Sequence, residues 1–412
     1  MSKKSPQLRF EGFTDDWEQR KLGELSQKIS VGIATSSSKY FSSQDQGVPF
    51  IKNQDIKENR INTKNLEYIS KEFDNKNKNK RVKQGDIITA RTGYPGLSAV
   101  VPKELEGAQT FTTLITRPIS EMILSEYISI FINSPYGMKQ ISGMEAGGAQ
   151  KNVNAGIVQN LLIPLPSLDE QKKISNFILK LDDTIALNQR KIDLLKEQKK
   201  GYLQKMFPKN GAKVPELRFA GFADDWEERK LQEVLRERNN QQPQSMEYPL
   251  VSFTVENGVT PKTDRYEREQ LVVGDKSSKK YKVTVLNDIV YNPANLKFGA
   301  ISRNKYGNAV FSPIYITFLV NNDVTTPEFI EMFVTRNDFI KRALKYQQGT
   351  VYERQSVSPT NLLAMNVYLP GKSEQEKIGS FFQQLDETIA LHQRKLDLLK
   401  EQKKGFLQKM FV

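Results

Sequence analysis

The chain has 412 residues, of which 38% are hydrophobic and 26% are charged, a composition typical of a folded protein with two or three domains. Its 61 Lys and Arg residues exceed its 48 Asp and Glu residues by 13, which favours a polyanionic partner such as nucleic acid. Cys is absent and His392 is the only His, which excludes disulfides, thiolate nucleophiles, metal sites built from Cys or several His, and a Ser-His-Asp triad. With neither a signal peptide nor an apolar membrane span in the sequence, we expect a cytoplasmic protein.

Two segments of the sequence each occur twice. Residues 6–25 (PQLRFEGFTDDWEQRKLGEL) return as residues 215–234, and residues 170–207 return as residues 374–411, at offsets of 209 and 204. The middles, residues 26–169 and 235–373, share only a coarse outline. A period near 200 residues is too long for a solenoid and indicates a duplicated domain plus helix, in which one scaffold carries two different surfaces.

In chain order, the first middle contains four candidate strands and one helical stretch. The strands are predicted at 48–53, 86–91, 97–102 and 110–117, the helix near 125–142, and a Pro-flanked strand-like run at 161–167. Basic and amide residues fall on the predicted loops, at Lys52, Asn53, 76–81, 91–94 and 147–154. Such side chains bind phosphates and base edges, although a solvated surface is the alternative for each of them.

The repeated segment 170–207 predicts a long helix. No Pro or Gly interrupts it before Gly201, and its apolar residues recur at steps of four and three, the seam pattern of a coiled coil. Two such stripes most simply bury each other, and we expect an antiparallel pair that gives a pseudo-twofold molecule. The predicted seam includes Ile185, Asn188, Leu195, Ile389, His392 and Leu399. Asn188 and His392 share one heptad position, where they are either tolerated or fix the register of the pair.

Two acidic motifs have a structural and a functional interpretation. Glu170-Gln171-Lys172 and Glu197-Gln198-Lys199 could imitate part of a nuclease motif, but no matching Pro-Asp precedes them, so we interpret them as solvated helix faces. Asp15-Asp16 and Asp224-Asp225 lie beside Trp17 and Trp226 in the repeated scaffold. A structural or docking role is favoured there over a Mg²⁺ site.

The second middle repeats the β-rich pattern with different residues. Strands are predicted at 248–253, 279–286, 288–292 and 309–320, a helical stretch at 327–346, and a strand-like run at 364–371, so we predict an α+β fold. Its candidate nucleic-acid contacts lie at Lys262, 276–282, Asn292, Asn295, Lys297, Arg303 and 350–356.

Motifs for catalysis are missing. There is no GxxxxGK[ST] loop for ATP and no strand–GxGxxG–helix, and Asn292-Pro293 is followed by Ala294-Asn295, which fails the adenine methyltransferase pattern. Three hypotheses stay open on the residues alone: a DNA-binding protein, a two-headed protein-binding scaffold without DNA specificity, and an enzyme with an unrecognised fold.

Over essentially its whole length the chain resembles the specificity subunits of type I restriction–modification systems. The resemblance rests on the duplicated layout, on LRFEGF before the Trp17 motif, on GDII at 85–88, on IPLPSLDEQKKI at 163–174, and on the repeated helix. It implies two target-recognition domains separated by two long antiparallel coiled-coil helices. The corresponding boundaries are 1–168 and 209–372 for the domains and 169–208 and 373–412 for the helices.

The resemblance also implies partners and DNA contacts. Each domain would read one half of a bipartite site in double-stranded DNA, and the chain would be non-catalytic by itself. Two methyltransferase subunits would bring S-adenosylmethionine, and up to two motor–nuclease restriction subunits would bring ATP and Mg²⁺. By position in the family pattern, DNA contacts are expected at Lys52, Asn53, Arg91, Tyr94, Gln150, Lys151 and Asn152, and at Asn292, Asn295, Lys297, Tyr352, Arg354 and Gln355.

Overall fold

The computed structural model describes residues 5–144, 152–209, 212–262, 279–349 and 355–411. The chain folds into two compact units, one made of residues 1–190 with 393–412 and the other of residues 191–392. Each long helix therefore belongs half to one unit and half to the other, a grouping that differs from the sequence-based division into separate domains and helices. Both units mix helices with mainly antiparallel sheets, which confirms the predicted α+β class.

The first unit is built on a four-stranded antiparallel sheet with the order β2-β11-β8-β9. A second sheet, of order β10-β4-β7-β3, and the pairs β1-β12 and β5-β6 complete its strands. The strands are β1 Glu18–Lys21, β2 Ser26–Val31, β3 Phe41–Ser42, β4 Gly47–Ile51, β5 Ile56–Lys57, β6 Arg60–Ile61, β7 Glu67–Ser70, β8 Ile87–Thr89, β9 Ser98–Val100, β10 Gln109–Thr110, β11 Leu114–Pro118 and β12 Leu162–Leu165. The helices are α1 Lys71–Lys76, α2 Ser125–Asn133, α3 Pro135–Met144, α4 Ala155–Gln159 and the first half of α5 Leu168–Lys205.

The second unit repeats the main sheet, with the order β14-β22-β19-β20, and the pair β13-β23. The sheet β15-β18-β21 and the hairpin β16-β17 lie beside them. The strands are β13 Glu227–Lys230, β14 Leu235–Glu237, β15 Gln241–Gln242, β16 Val251–Thr254, β17 Gly258–Pro261, β18 Tyr281–Thr284, β19 Ile289–Tyr291, β20 Ile301–Arg303, β21 Ala309–Phe311, β22 Ile316–Val320 and β23 Asn366–Leu369. The helices are α6 Leu231–Val234, α7 Pro327–Val334, α8 Asn337–Ala343, α9 Pro359–Leu363 and the first half of α10 Lys372–Lys409.

Four predicted elements are each divided in two. The strand expected at 110–117 breaks at Thr112, whose φ of 53° is left-handed and cannot continue a strand. The strand expected at 309–320 turns between β21 and β22, where Tyr315 N donates to Ser312 O at 3.1 Å. The helical stretch expected at 125–142 consists of α2, which ends at Asn133, and α3, which begins at Pro135. The break lies at Ser134, because a proline disfavours helical backbone in the residue before it. The helical stretch at 327–346 is likewise two helices, α7 and α8.

The long helices α5 and α10 are 38 residues each, which corresponds to about 57 Å at 1.5 Å per residue. In the first unit, Phe177 of α5 packs on Phe406 of α10 with ring centroids 4.8 Å apart, and Asp182 pairs with Lys403, so the segments run in opposite directions. In the second unit, Tyr202 packs on Phe381 at 5.1 Å and Lys199 pairs with Asp386. These are the same contacts with the two helices exchanged, which confirms the antiparallel prediction within each unit. Among the described helices, none is long and apolar enough to cross a membrane.

The end of each long helix enters the core of one of the two units. Phe411, which follows α10, is 1% exposed and packs on Tyr127 and Phe131 of α2 at 5.7 and 5.4 Å. Phe207, which follows α5, packs in the same way on Phe329 of α7 at 5.4 Å. The repeated Lys-Met-Phe ending is therefore a core anchor, because its Phe packs beside α2 in the first unit and beside α7 in the second.

The repeated opening motif ties each domain to its helices. Leu8 N donates to Lys409 O at 2.9 Å, and Leu217 N donates to Lys205 O at the same distance, so each opening satisfies a terminal carbonyl of a long helix. Arg9 holds Glu170 through two bonds of 2.7 and 2.8 Å, and Arg218 holds Glu374 through two bonds of 2.7 Å. These charge-assisted bidentate bonds fix the start of each helix.

Burial of Glu170 and Gln171 corrects the solvated-face interpretation of the first Glu-Gln-Lys triplet. Both residues are 0% exposed. Trp17 Nε1 donates to Glu170 Oε2 at 3.1 Å, and the Gln171 amide bonds to the carbonyl oxygens of Pro166 and Met122. Trp17 is itself 3% exposed, so the aromatic residue beside Asp15-Asp16 has a structural role. The local pattern could not reveal the burial of Glu170, because Arg9 and Trp17, which bond to it, lie more than 150 positions away.

The seam predicted for the helices is partly buried. Asn188 is 7% exposed and donates to Thr184 O of its own helix at 2.8 Å. The side chains of Ile185, Leu195, Ile389, His392 and Leu399 are half-buried. Asn188 belongs to the first unit and His392 to the second, and their proposed pairing stays a prediction.

Candidate nucleic-acid interface

Three segments that are distant in sequence meet around Arg91 in the first unit. Asn53 follows β4, Arg91 follows β8, and Val153 precedes α4. Asn53 Oδ1 accepts from Arg91 N at 2.8 Å, Val153 N donates to Arg91 O at 3.2 Å, and Arg91 Nε donates to Val153 O at 3.1 Å. The structure thus brings together the three regions that the sequence singled out in this half. Because the Nε–H holds the loop, the terminal nitrogens of Arg91 are the ones available to a ligand.

Asn53 is held on its other side by a strained residue. Asn53 Nδ2 donates to Thr112 Oγ1 at 3.1 Å, and Thr112 is one of the few non-glycine residues with positive φ, a costly conformation for a β-branched side chain. Asp55 also shapes this turn, since its Oδ2 accepts from Lys52 N at 2.8 Å, and burial raises the pKa of the Asp55 carboxyl. The amide of Asn53 is therefore fixed by protein contacts before any ligand binds.

Lys52 and Tyr94 differ in their contacts within the protein and in their exposure to solvent. Lys52 Nζ pairs with Glu67 at 2.5 Å and lies 4.9 Å from the ring centroid of Phe41, so its charge already has partners. Tyr94 is 70% exposed and lies between Gly93 and Gly96, which have positive φ. It borders a cavity of about 370 Å³ that is lined by apolar side chains, including Met138 and Ile141.

The third predicted segment of this half is only partly described. Gln150 and Lys151 lie outside the described residues, whereas Asn152 is exposed. Two residues on, Asn154 Oδ1 accepts from Ile157 N at 3.0 Å and caps α4. The cap fixes the direction in which residues 152 and 153 leave the loop.

In the second unit, corresponding segments meet in the same way with different residues, and this meeting of segments is called the junction of each unit from here on. Asn292 and Pro293 follow β19, and Val357 N donates to Pro293 O at 3.2 Å. Val357 lies 204 residues after Val153, so the same backbone contact joins the corresponding loops in both units. Tyr291 strengthens the junction through its hydroxyl, which donates to Val357 O at 3.1 Å, and burial raises the pKa of Tyr291 well above its usual value.

The residues of the second junction differ in how exposed they are to solvent and to a ligand. Asn292 is 8% exposed and its Oδ1 accepts from Ala294 N at 3.1 Å, so it shapes the loop from inside. Asn295 is exposed, and Lys297 Nζ lies 5.2 Å from the centroid of Phe298, which is 65% exposed. Gln355 is half-buried and donates to Gly349 O at 3.4 Å, while Tyr352 and Arg354 lie outside the described residues.

Arg303 is not part of the junction. It pairs with Ile289 at the far end of the β19–β20 hairpin, and its guanidinium bonds to Glu328 Oε1 at 2.5 Å and to Glu331 Oε2 at 3.0 Å, both on α7. With Asn287 Oδ1 as a third acceptor at 2.8 Å, the side chain is committed to joining the sheet to the helix. The sequence could not separate Arg303 from the loop residues, because its acceptors come from another element.

No metal site is evident in the part of the chain that the structure describes, since no three His, Asp or Glu side chains lie together there. What the two junctions offer is a set of exposed amide, basic and aromatic groups on turns fixed by backbone bonds. Such groups can donate to phosphates and base edges.

Comparison with known proteins decides the family. The model of the type I restriction modification DNA specificity domain matches the chain twice, over residues 14–197 and 223–401. The chain belongs to the type I restriction–modification DNA specificity family. The two matches contain the two junctions, one each, and most of both long helices.

Relatives of this specificity-family chain cover nearly its full length. It is 22% identical over 417 residues to a Methanocaldococcus jannaschii protein described as a candidate specificity subunit of the type I restriction enzyme MjaX, covering 95% of this chain and 92% of the relative. The crystal structure of the type I restriction-modification S subunit from M. genitalium matches with a TM-score of 0.62 at 14% identity, covering 99% of both chains. A structure from a study of assembly and conformational transition of the type I system matches with a TM-score of 0.54 at 17% identity, covering 96% of this chain and 97% of that one. These likenesses confirm the fold and do not favour the protein-binding scaffold hypothesis.

Sequence reasoning missed two residues that shape the interface of this specificity-family chain. Thr112 lies where the predicted strand breaks, and its hydroxyl accepts a hydrogen bond from Asn53. Its backbone has a left-handed φ, which no local sequence pattern predicts for a Thr. Phe298 is an exposed aromatic residue beside Lys297, and the Lys-Phe pair on a predicted loop was a usable signal.

Proposed function

We propose that the chain is the DNA-reading subunit of a type I restriction–modification complex and that each junction reads one part of a bipartite sequence. The observation that carries this is the repeated junction. Val153 N donates to Arg91 O and Val357 N donates to Pro293 O, so the same backbone contact follows the corresponding strand of the repeated sheet in each unit. The side chains around the two contacts differ. A shared scaffold with unlike side chains presents unlike donors and acceptors, which two different base sequences require.

The chain supplies specificity, and its partners supply chemistry. We propose two methyltransferase subunits that carry S-adenosylmethionine and up to two restriction subunits that use ATP and Mg²⁺. Support comes from the sequence, which lacks the ATP and methyltransferase motifs, and from the repeated scaffold, which offers each of two identical partners an equivalent surface.

The test is to copurify the chain with the methyltransferase subunit encoded in the same genome and to map methylated adenines in a host that lacks other methyltransferases. We expect methylation at one sequence made of two specified parts separated by a fixed number of unspecified base pairs. Methylation that is absent, or that follows a single continuous sequence, would contradict the proposal.

Binding of the purified complex to its mapped site adds a physical check. Phosphate contacts release counterions, so about ten contacts predict a log–log slope of affinity against salt concentration near −9. A duplex of scrambled sequence is the control, because it keeps the phosphates and loses the specific contacts. A slope near zero would mean that DNA is not the ligand.

A further inference from the structure

We infer that the turn of the β5–β6 hairpin locks the first DNA-reading domain onto the long helices, and that Glu58 and Asn59 are positioning residues for spacer recognition. The inference rests on the proposed function. Residues Glu58, Asn59 and Arg60, called the lock from here on, belong neither to the apolar core nor to the junction around Arg91.

Asn59 is the centre of the lock. Its Oδ1 accepts from Asn133 Nδ2 at 2.7 Å and from Ser129 Oγ at 3.0 Å, both on α2. Its Nδ2 donates to Asp182 Oδ2 of α5 at 3.1 Å, and its backbone N donates to Ser98 O of β9 at 3.0 Å. One side chain thus joins the domain to the helix. The turn needs φ of 59° at this position, which Asn tolerates better than most residues.

Charges complete the lock. Lys403 of α10 is 8% exposed, and its Nζ lies 2.5 Å from Glu58 Oε1 and 2.5 Å from Asp182 Oδ1. Arg60 pairs with Asp183 on α5. The hairpin, α5 and α10 therefore share one buried ammonium, which needs its carboxylates because an uncompensated buried charge is unfavourable.

The residues that the structure describes in the second unit form no equivalent of the lock. Lys199 corresponds to Lys403 and pairs with Asp386, the counterpart of Asp182. Within the described residues no hairpin carboxylate reaches Lys199, whose side chain is 29% exposed against 10% for Lys403. It instead lines an open cavity of about 740 Å³, together with Thr335 at the turn that corresponds to Asn133.

The polar character of the lock indicates a geometric role. Apolar contacts could hold the domain on the helices with similar stability, whereas a satisfied polar network accepts one arrangement and disfavours others. A first domain held at one angle to the helices presents its junction to DNA at one position along the helices. The lock therefore narrows the range of spacer lengths that the protein accepts.

The experiment uses the complex with its methyltransferase subunits and duplexes that carry the mapped half-sites at the natural spacer and at spacers one base pair shorter and longer. The variants are Glu58→Gln, which changes an exposed carboxylate with little risk to folding, and Asn59→Gly, which keeps the left-handed turn and removes the amide. Glu256→Gln, in the turn between β16 and β17 of the second unit, is the matched control.

We expect the variants to reduce the preference for the natural spacer by about fivefold, the equivalent of one hydrogen bond, with a change of less than about twofold at the natural spacer itself. The control should keep the wild-type profile. A uniform loss at all three spacers, or an unchanged profile, would overturn the lock. If the wild-type complex binds no bipartite duplex at all, the proposed function fails first, and that result is separate from the behaviour of the variants.

Discussion

Replacing Phe411 with Ala tests whether the end of the chain completes the first unit. Phe411 is 1% exposed and contacts Tyr127 and Phe131 with ring centroids less than 6 Å away. Burying a Phe side chain this completely contributes about 3–5 kcal/mol by large-to-small substitution. Because neighbouring side chains can move into the space that the substitution leaves, we expect the lower value, about 3 kcal/mol, or roughly 150-fold in the unfolding equilibrium.

The two Trp residues make the measurement specific, since Trp17 lies in the first unit and Trp226 in the second. In a Trp226→Phe background, urea unfolding followed by Trp17 fluorescence should show a lower midpoint for Phe411→Ala with an unchanged slope. Leu398→Ala is the control, because Leu398 is on the same helix and is 60% exposed. A loss below about 1 kcal/mol, or an equal loss in the control, would refute the placement of the chain end in this core.

Three further predictions concern the junction and the scaffold. Arg91→Ala should weaken discrimination in one half-site by about 1–3 kcal/mol and leave the other unchanged, whereas Arg20→Ala, on β1, should change neither in the same binding assay. Thr112→Gly should relieve backbone strain and leave the thermal midpoint equal or higher, while removing the support of Asn53 and lowering affinity for DNA; a lower midpoint with full affinity would contradict this. Glu170→Gln should cost about 3–5 kcal/mol in urea unfolding, because it leaves the Arg9 guanidinium without its buried carboxylate, and a loss below about 1 kcal/mol would show that water replaces the pair.

The sequence singled out segments that meet in the structure, but not the contacts that hold them. Position in the family pattern marked the regions of Asn53, Arg91 and Asn152, and hydrogen bonds join Asn53 and Val153 to Arg91. That these regions contact DNA stays a prediction. The search for basic residues on predicted loops added Arg303, which the structure pairs with Glu328 and Glu331, and it overlooked Thr112. A basic residue on a predicted loop and a basic residue in an ion pair look alike until its partners are known.

The sequence by itself determined the duplicated layout, the α+β class and the long helices, because a repeat and a 4-3 apolar period are local patterns that need no partner to be seen. Only the tertiary structure decided that Glu170 and Gln171 are buried, that Phe411 completes a core formed by residues almost 300 positions earlier, and that Asn59 joins a hairpin to α5. Each of these depends on which segments meet after folding. Burial, charge pairing and hydrogen bonding depend on these tertiary contacts, and the local sequence around a residue does not contain them.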